Sequence, residues 1–191
     1  MIAGLLVCAG LSERFGAEDK MMAELEGQPL ALHAAAVLAA VPLDERIAVL
    51  RPGQEELAAR LTSLGFRIAI NPRPADGRDS SIRIGLTTVS AASRGALLCL
   101  GDMPRITPAL LGTLVGHDPR PALCVHDGIA SPPAWFPRRL IAAILDGRED
   151  PIRAIVARAG PAQIPADAIA LADVDTPADL GHVRQHGTSG C

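Results

Sequence analysis

An alternation constrains this chain most: short apolar runs are followed, four times over, by longer segments of helical period. "IAGLLVC" precedes "PLALHAAAVLAAV", "RIAVL" precedes "QEELAARLTSL", "FRIAI" precedes "SSIRIGLTTVSAA", and "GALLCL" precedes "TPALLGTLVG". Such a βαβα series predicts a mostly parallel sheet with helices on both faces, because each crossover helix covers the strands it connects. Gly53, Asp79 and Thr107 stand where helix caps are expected, and Gly65 and Gly116 where helices stop. After about Pro119 the alternation becomes irregular. "PALCVHDGIASPPAWF" reads as two strands joined at the turn dipeptide Asp127-Gly128, so one antiparallel strand enters the sheet. Two helices, "PRRLIAAILDG" and "DPIRAIVARAG", lead to a short strand expected around Ile169 to Ala172. A closing helix, "TPADLGHVRQH", has Thr176 as cap and Pro177 at its first position.

The 191 residues suit one domain, expected over residues 1–186, with residues 187–191 as a disordered tail. Composition then removes several function classes. Trp135, three phenylalanines and no tyrosine leave little from which to build stacking platforms for single-stranded nucleic acid. A net charge of −3 likewise lacks the basic excess of a polyanion binder, so an anionic ligand must be held by a few local cations. No apolar run approaches membrane-spanning length and no charged leader precedes the first strand, so the expectation is a cytoplasmic protein without nucleic-acid or membrane partners. The cysteines show no metal-ligand spacing; Cys8, Cys99 and Cys124 fall in strand-like runs, where thiols behave as small hydrophobes. His182 and His186 are four apart on the last helix but have no third ligand at suitable spacing.

In an open parallel sheet ligands bind beyond the carboxyl ends of the strands. Three loops there carry the informative residues. In "CAGLSERFGAEDKMM", Gly10 and Gly16 permit tight turns, Arg14 offers a fork for phosphate oxygens and Lys20 a point charge, which together suit a triphosphate. The loop is neither a dinucleotide fingerprint nor a Walker loop, since Met21 follows Lys20 where Ser or Thr is required. A solvated loop with incidental charges is the alternative. In "LGDMPRITP", Asp102 puts a lone carboxylate at the sheet edge, adequate for Mg2+ when phosphates supply the other oxygens, or else the start of a turn before Pro104. In "NPRPADGRDSSIRIG", Asn71 ends a strand, Gly77 allows an unusual backbone, and Ser80 and Ser81 open a helix whose amino terminus favours anions; serines there also serve as plain caps. Asp173 and Asp175 flank Val174, so that one is placed to join Asp102 at a metal while the other caps the last helix.

Taken together, "CAGLSERFG" with "KMM" downstream, "NPRPADGRDSSIRIG", "GDMP" before a helix and "DVDTPADL" resemble the MobA-like nucleotidyltransferase family, most closely its molybdenum cofactor cytidylyltransferase branch. The resemblance implies a three-layer αβα Rossmann-like nucleotidyltransferase fold, mainly parallel with one antiparallel strand. It implies that the backbone of Ala9, Gly10 and Leu11 lies against the nucleotide, that Arg14 and Lys20 hold the phosphates, and that Asp102 binds Mg2+. Asn71, Gly77 and Ser81 are placed around base and ribose, and Asp175 as a second metal or catalytic-site carboxylate. The implied reaction is attack by a phosphate oxygen of molybdopterin on the α-phosphorus of CTP, with release of pyrophosphate. A molybdoenzyme or accessory protein is the implied partner of the product.

Two segments depart from the family pattern, both on the acceptor side. Ser131, Pro132 and Pro133 replace a Gly-x-Pro, and "GREDPIR" stands for "GDxGAR", leaving Asp150 and Arg153 as loose equivalents. These departures motivate a second reading with another phosphorylated acceptor, and a third as a non-catalytic nucleotide-binding accessory protein. Cys8 and Ala9 precede Gly10 where relatives carry an alanine pair for cytidylyl or a glycine pair for guanylyl transfer. Ala9 leans towards cytosine, a difference of about one methyl group, on the order of 1 kcal/mol.

Overall fold

The computed structural model describes residues 1–16 and 19–186. The expected tail, residues 187–191, lies outside the described residues. Seven strands form one sheet in the order β5-β4-β1-β6-β8-β7-β9. They are β1 (Ala3–Val7), β4 (Glu45–Leu50), β5 (Arg67–Ile70), β6 (Gly95–Leu100), β7 (Ala122–His126), β8 (Ile129–Pro137) and β9 (Ala162–Pro165). A separate two-stranded ribbon joins β2 (Glu24–Leu25) to β3 (Gln28–Pro29).

β1 and β6 are buried along their whole length, which is why their sequences are continuous apolar runs with no alternation. They pair parallel, Val7 beside Leu100, while β4 and β5 extend the parallel set on the other side of β1. β8 runs antiparallel to both β6 and β7, and it is reached through a tight turn with Asp127 at φ 48° and Gly128 at φ 76°. That is the hairpin the Asp127-Gly128 dipeptide predicts.

The helices are α1 (Leu30–Ala40), α2 (Glu55–Ser63), α3 (Arg78–Thr88), α4 (Pro108–Val115), α5 (Arg138–Asp146), α6 (Ile152–Arg158) and α7 (Pro177–His186). α1 and α4 pack together on one face, α3 and α5 on the other. Capping chemistry sets several ends. The Thr107 hydroxyl accepts from the Leu110 amide, and Gly65 follows α2 at φ 82°. Asp79 lies inside α3, whose cap is Gly77, and its carboxylate instead accepts from the Ile152 amide at 2.8 Å, capping α6. Gln54, not Gly53, precedes α2.

One expected element is corrected. Residues 169–172 form a turn, because the Asp167 side chain accepts from the Ala170 amide at 2.7 Å and its carbonyl from Leu171, curling the segment. The last strand is β9 instead, paired parallel with β7 through Ala162–Pro165. Its signal was two buried positions in four residues, too short to register as a period.

The main core is aliphatic, with Trp135 fully buried and the Arg94 guanidinium 5.9 Å from its ring centre. A smaller core of Leu25, Leu30, Val174, Leu180 and Val183 seats α7 beside the ribbon. Cys8, Cys99 and Cys124 are buried free thiols. Among the described residues no helix is long and apolar enough to cross a membrane.

Candidate active site

Adjacent parallel strands deliver their following loops side by side. β1 therefore releases the Cys8–Gly16 loop next to the Gly101-Asp102 turn that follows β6. Gly101 makes the approach possible, since a Cβ there would stand 2.5 Å from Cys8 Sγ and 3.0 Å from Met21 Sδ. From the other side, α3 returns across the sheet and begins at this same edge. A cavity of about 360 Å³ results, lined by Ala9, Gly10, Leu11, Ser12, Arg14 and Lys20 of the first loop, Pro74, Ala75, Gly77, Arg78 and Ser81 of the third, and Asp102 and Asp175. Of the ten residues singled out from sequence, only Asn71 does not line it.

Charges concentrate on one wall. Lys20 Nζ donates to Asp102 Oδ2 at 2.8 Å and to Asp175 Oδ1 at 2.9 Å, and Arg14 Nη2 reaches Asp175 Oδ2 at 2.7 Å. Lys20 and Asp102 are buried, at 6% and 7% exposure, whereas Arg14 is largely in solvent. The strengths differ accordingly: an exposed pair is worth about 0–1 kcal/mol, while breaking a buried one costs about 3–5 kcal/mol. Burial alone lowers the Lys20 pKa, but the Asp102 charge and the hydrogen bonds that Lys20 donates to both carboxylates outweigh it and hold the ammonium above its ordinary value. The Lys20 hydrogen bond, with the Lys20 and Arg14 charges, keeps Asp175 below the ordinary carboxylate range. Asp173 stands at the rim and is pushed up, by desolvation first and then by the charges of Asp175 and Asp102.

Asp102 Oδ1 is buried and has no hydrogen-bond partner. Such an oxygen is costly unless something cationic or protic meets it. Two carboxylates sharing one ammonium, with one oxygen unspent, are hard oxygen donors of the kind Mg2+ takes alongside substrate phosphates.

The remaining sequence expectations resolve individually. The tight turn expected at Gly10 is made at Ser12, φ 57°, and Gly16, φ 94°. Gly77 at φ 87° swings the chain from the Pro74–Asp76 turn into α3 and leaves Gly77 and Ser81 on the cavity wall. Asn71 is buried behind that wall. Its Nδ2 donates to the Ser80 and Ser81 hydroxyls, each at 2.9 Å, and its Oδ1 accepts from the Arg73 amide, so it braces the loop. Neither Asp173 nor Asp175 caps α7: Thr176 Oγ1 accepts from the Asp179 amide at 3.2 Å, and Asp179 accepts in return from the Thr176 amide at 2.8 Å, a capping box. Met21 is buried and also reaches the cavity wall. Among the described residues no three His, Cys, Asp or Glu side chains cluster as a metal site, His182 included.

Arg83 of α3 donates to the carbonyls of Ile144, Gly147 (3.1 Å) and Asp150 (2.6 Å), pinning the "GREDP" loop to the helix that carries Arg78 and Ser81. The Asp150 side chain pairs with Arg158.

Sequence reading missed Ser12 and Arg78, which line the cavity, and the group of Asp19, Arg51 and Gln54 behind the first loop. For Lys20 a signal went unread in the composition. It is the only lysine in 191 residues, in a chain whose other basic side chains of that kind are all arginine. Its ammonium carries three donors on one compact head, and two of them meet the two carboxylates.

This edge cavity, with a phosphate-sized group of cations set against two carboxylates, belongs to an α/β nucleotidyltransferase fold. A nucleotidyl transferase from Methanothermobacter thermautotroptrophicus superposes with TM-score 0.80 over 97% of each chain at 20% identity. A family model described as MobA-like NTP transferase domain matches residues 4–164, and the chain belongs to that family. A probable molybdenum cofactor guanylyltransferase of Natronomonas pharaonis is 33% identical over 134 residues, 70% of this chain and 63% of that protein. A 2-C-methyl-D-erythritol 4-phosphate cytidylyltransferase of Ralstonia nicotianae is 34% identical over 125 residues, 59% of this chain and 48% of that protein. The matched segments thus span less than two thirds of the length of these relatives.

Proposed function

We propose that the protein transfers a nucleotidyl group from a nucleoside triphosphate to a molybdopterin-type phosphorylated acceptor, releasing pyrophosphate. The observation that carries this reading is the seat of Lys20, 2.8 Å from Asp102 and 2.9 Å from Asp175, on the wall of a cavity that Arg14 and Ser81 also line. An acceptor phosphate is already ionised at neutral pH, so the reaction needs no protein nucleophile or general base. The acceptor oxygen forms a bond to the α-phosphorus as the bond to the β-phosphate oxygen breaks. Arg14 and Lys20 are placed to offset the charge that gathers on the leaving pyrophosphate, and the loop backbone of Ala9 to Leu11 to hold the nucleotide in line. Asp102 and Asp175 would hold Mg2+, which neutralises phosphate charge when bound.

For the base we propose CTP, on the methyl that Ala9 keeps where guanylyl relatives carry glycine. GTP is the second reading, favoured by the name of the archaeal relative. Both are separated by calorimetric titration of CTP, GTP and ATP with and without Mg2+, on the unaltered protein and on Asp102→Ala. The expected result is Mg2+-dependent binding of CTP, tighter than the others, that loses its Mg2+ dependence in the variant. Tight GTP binding with weak CTP binding overturns the cytidylyl assignment alone. Absence of Mg2+-dependent binding for every triphosphate overturns the transferase reading.

A further inference from the structure

We infer that Gln54, which lies outside the cavity, is the positioning residue that sets where Lys20 stands. Gln54 precedes α2 and is 5% exposed. Each of its polar atoms is used. Oε1 accepts from the Arg51 amide at 2.9 Å; Nε2 donates to the Cys8 carbonyl at 3.2 Å and to Asp19 Oδ2 at 2.7 Å. Asp19 in turn caps the short turn Lys20–Met22, its Oδ1 accepting from the Met21 amide at 3.1 Å. Arg51 closes the group, with its guanidinium 3.2 Å from Asp19 Oδ2 and its Nε donating to the Gly10 carbonyl at 3.3 Å.

One buried amide therefore joins the point where the first loop leaves β1, at Cys8, to the residue that immediately precedes Lys20. The two ends of the loop are thereby registered to each other. Cys8 is itself fixed to β4 by its amide, which donates to the Val49 carbonyl at 2.9 Å, so the registration is referred to the central sheet. Without Gln54, Asp19 keeps the Arg51 ion pair and the Met21 amide but loses its one bond to a buried side chain, so the turn carrying Lys20 is held less firmly to the sheet. The ammonium then loses one of the constraints that keep it between Asp102 and Asp175. Sequence reading does not find such a residue, because a glutamine before a helix carries no charge signature.

The single lysine makes the test clean. Acetylation by acetic anhydride, read by peptide mass spectrometry, reports Lys20 with the Met1 α-amino group as internal reference, and requires no nucleotide. Gln54→Met is expected to raise Lys20 acetylation relative to that reference at least tenfold. Trp135→Ala, a core truncation on the far strands, is expected to leave the ratio within twofold, which a role confined to stability would not allow. Asp19→Asn sets an amide donor against the Gln54 donor and is expected to behave like Gln54→Met. Adding Gln54→Glu to Asp19→Asn restores that one bond with its direction reversed but sets an acceptor against the Cys8 carbonyl, so protection is expected to recover only in part, and Asp19→Asn decides the matter where Gln54→Met folds poorly. A second arm rests on the nucleotide reading above: Gln54→Met is expected to weaken Mg2+-dependent triphosphate binding about tenfold. Lys20 as protected in Gln54→Met as in the unaltered protein overturns the inference, and so does equal exposure in Trp135→Ala. Failure of the unaltered protein to bind any triphosphate overturns the nucleotide reading instead, while the acetylation arm still decides the role of Gln54.

Discussion

The two ends of the sheet are built by different rules. On the β5-β4-β1-β6 side four parallel strands send their following loops to one edge, where Lys20 bonds both Asp102 and Asp175 from separate segments and Gln54 bonds Asp19, the residue before Lys20. On the β8-β7-β9 side the antiparallel β8 carries its carboxyl end to the opposite edge, and side chains nearby bond backbone carbonyls, His126 that of Ala166 and Arg120 those of Gly160 and Pro161. The parallel side spends buried polar atoms on a site; the mixed side spends its core on packing, with Trp135 at its centre. Chemistry that needs several charges in one place draws on loops from many strands, and only parallel neighbours bring those loops together.

This contrast is broken most severely at Lys20. Lys20→Met leaves two carboxylates facing each other without their shared cation, and stability to urea is expected to fall by about 3–5 kcal/mol, with triphosphate affinity falling alongside. Trp135→Ala is expected to cost a similar or slightly smaller amount by the same measurement, about 3–5 kcal/mol, yet to leave Mg2+-dependent triphosphate affinity within twofold, because Trp135 does not line the cavity. Equal losses of affinity in the two variants would show that the sheet responds as one unit.

Acid titration sharpens the comparison within the site. Asp175 has a folded-state pKa below the ordinary carboxylate value, so the stability it contributes is present above that ordinary value and is lost as pH falls below about 3.8 towards the lowered one. Asp173, raised by desolvation and by its two neighbours, works with the opposite sign: its ionisation disfavours the fold as pH rises from about 3.8 through the raised value. Asp173→Asn is therefore expected to raise the Tm at pH 7 relative to pH 3.5, and Asp175→Asn to lower it, in parallel thermal scans. The smallest effect is expected at Ile129, 72% exposed at the tip of the β7–β8 hairpin. Ile129→Ser should change stability by less than about 0.5 kcal/mol in the same urea assay.

Legibility in the sequence follows the same division. The parallel strands were readable because burial on both faces forces unbroken apolar runs, and the direction of β8 because Asp127-Gly128 supplies the positive φ a tight hairpin turn requires. Arg14, Lys20, Asp102 and Asp175 were readable as charges at strand ends, where charge is conspicuous. β9 was not, since a four-residue edge strand ending in Pro165 has too little pattern to compete with the more apolar 169–172 segment. Gln54 was passed over, and Asn71 read as facing the nucleoside, for one shared reason. A neutral amide that braces a loop from behind and one that faces a ligand have the same letter, and only the partners of its three or four hydrogen-bonding sites tell them apart.

The missing side chain at Gly101 has a consequence for the redox chemistry of this edge. An oxygen added to Cys8 Sγ on the side that faces Gly101 would press on the end of β6, which leads into Asp102. Burial, with the Asp102 and Asp19 charges, pushes the Cys8 thiol well above its ordinary pKa, which keeps the reactive thiolate scarce. The same burial that brings carboxylate and ammonium together thus shields from peroxide a sulfur whose oxidation would crowd them.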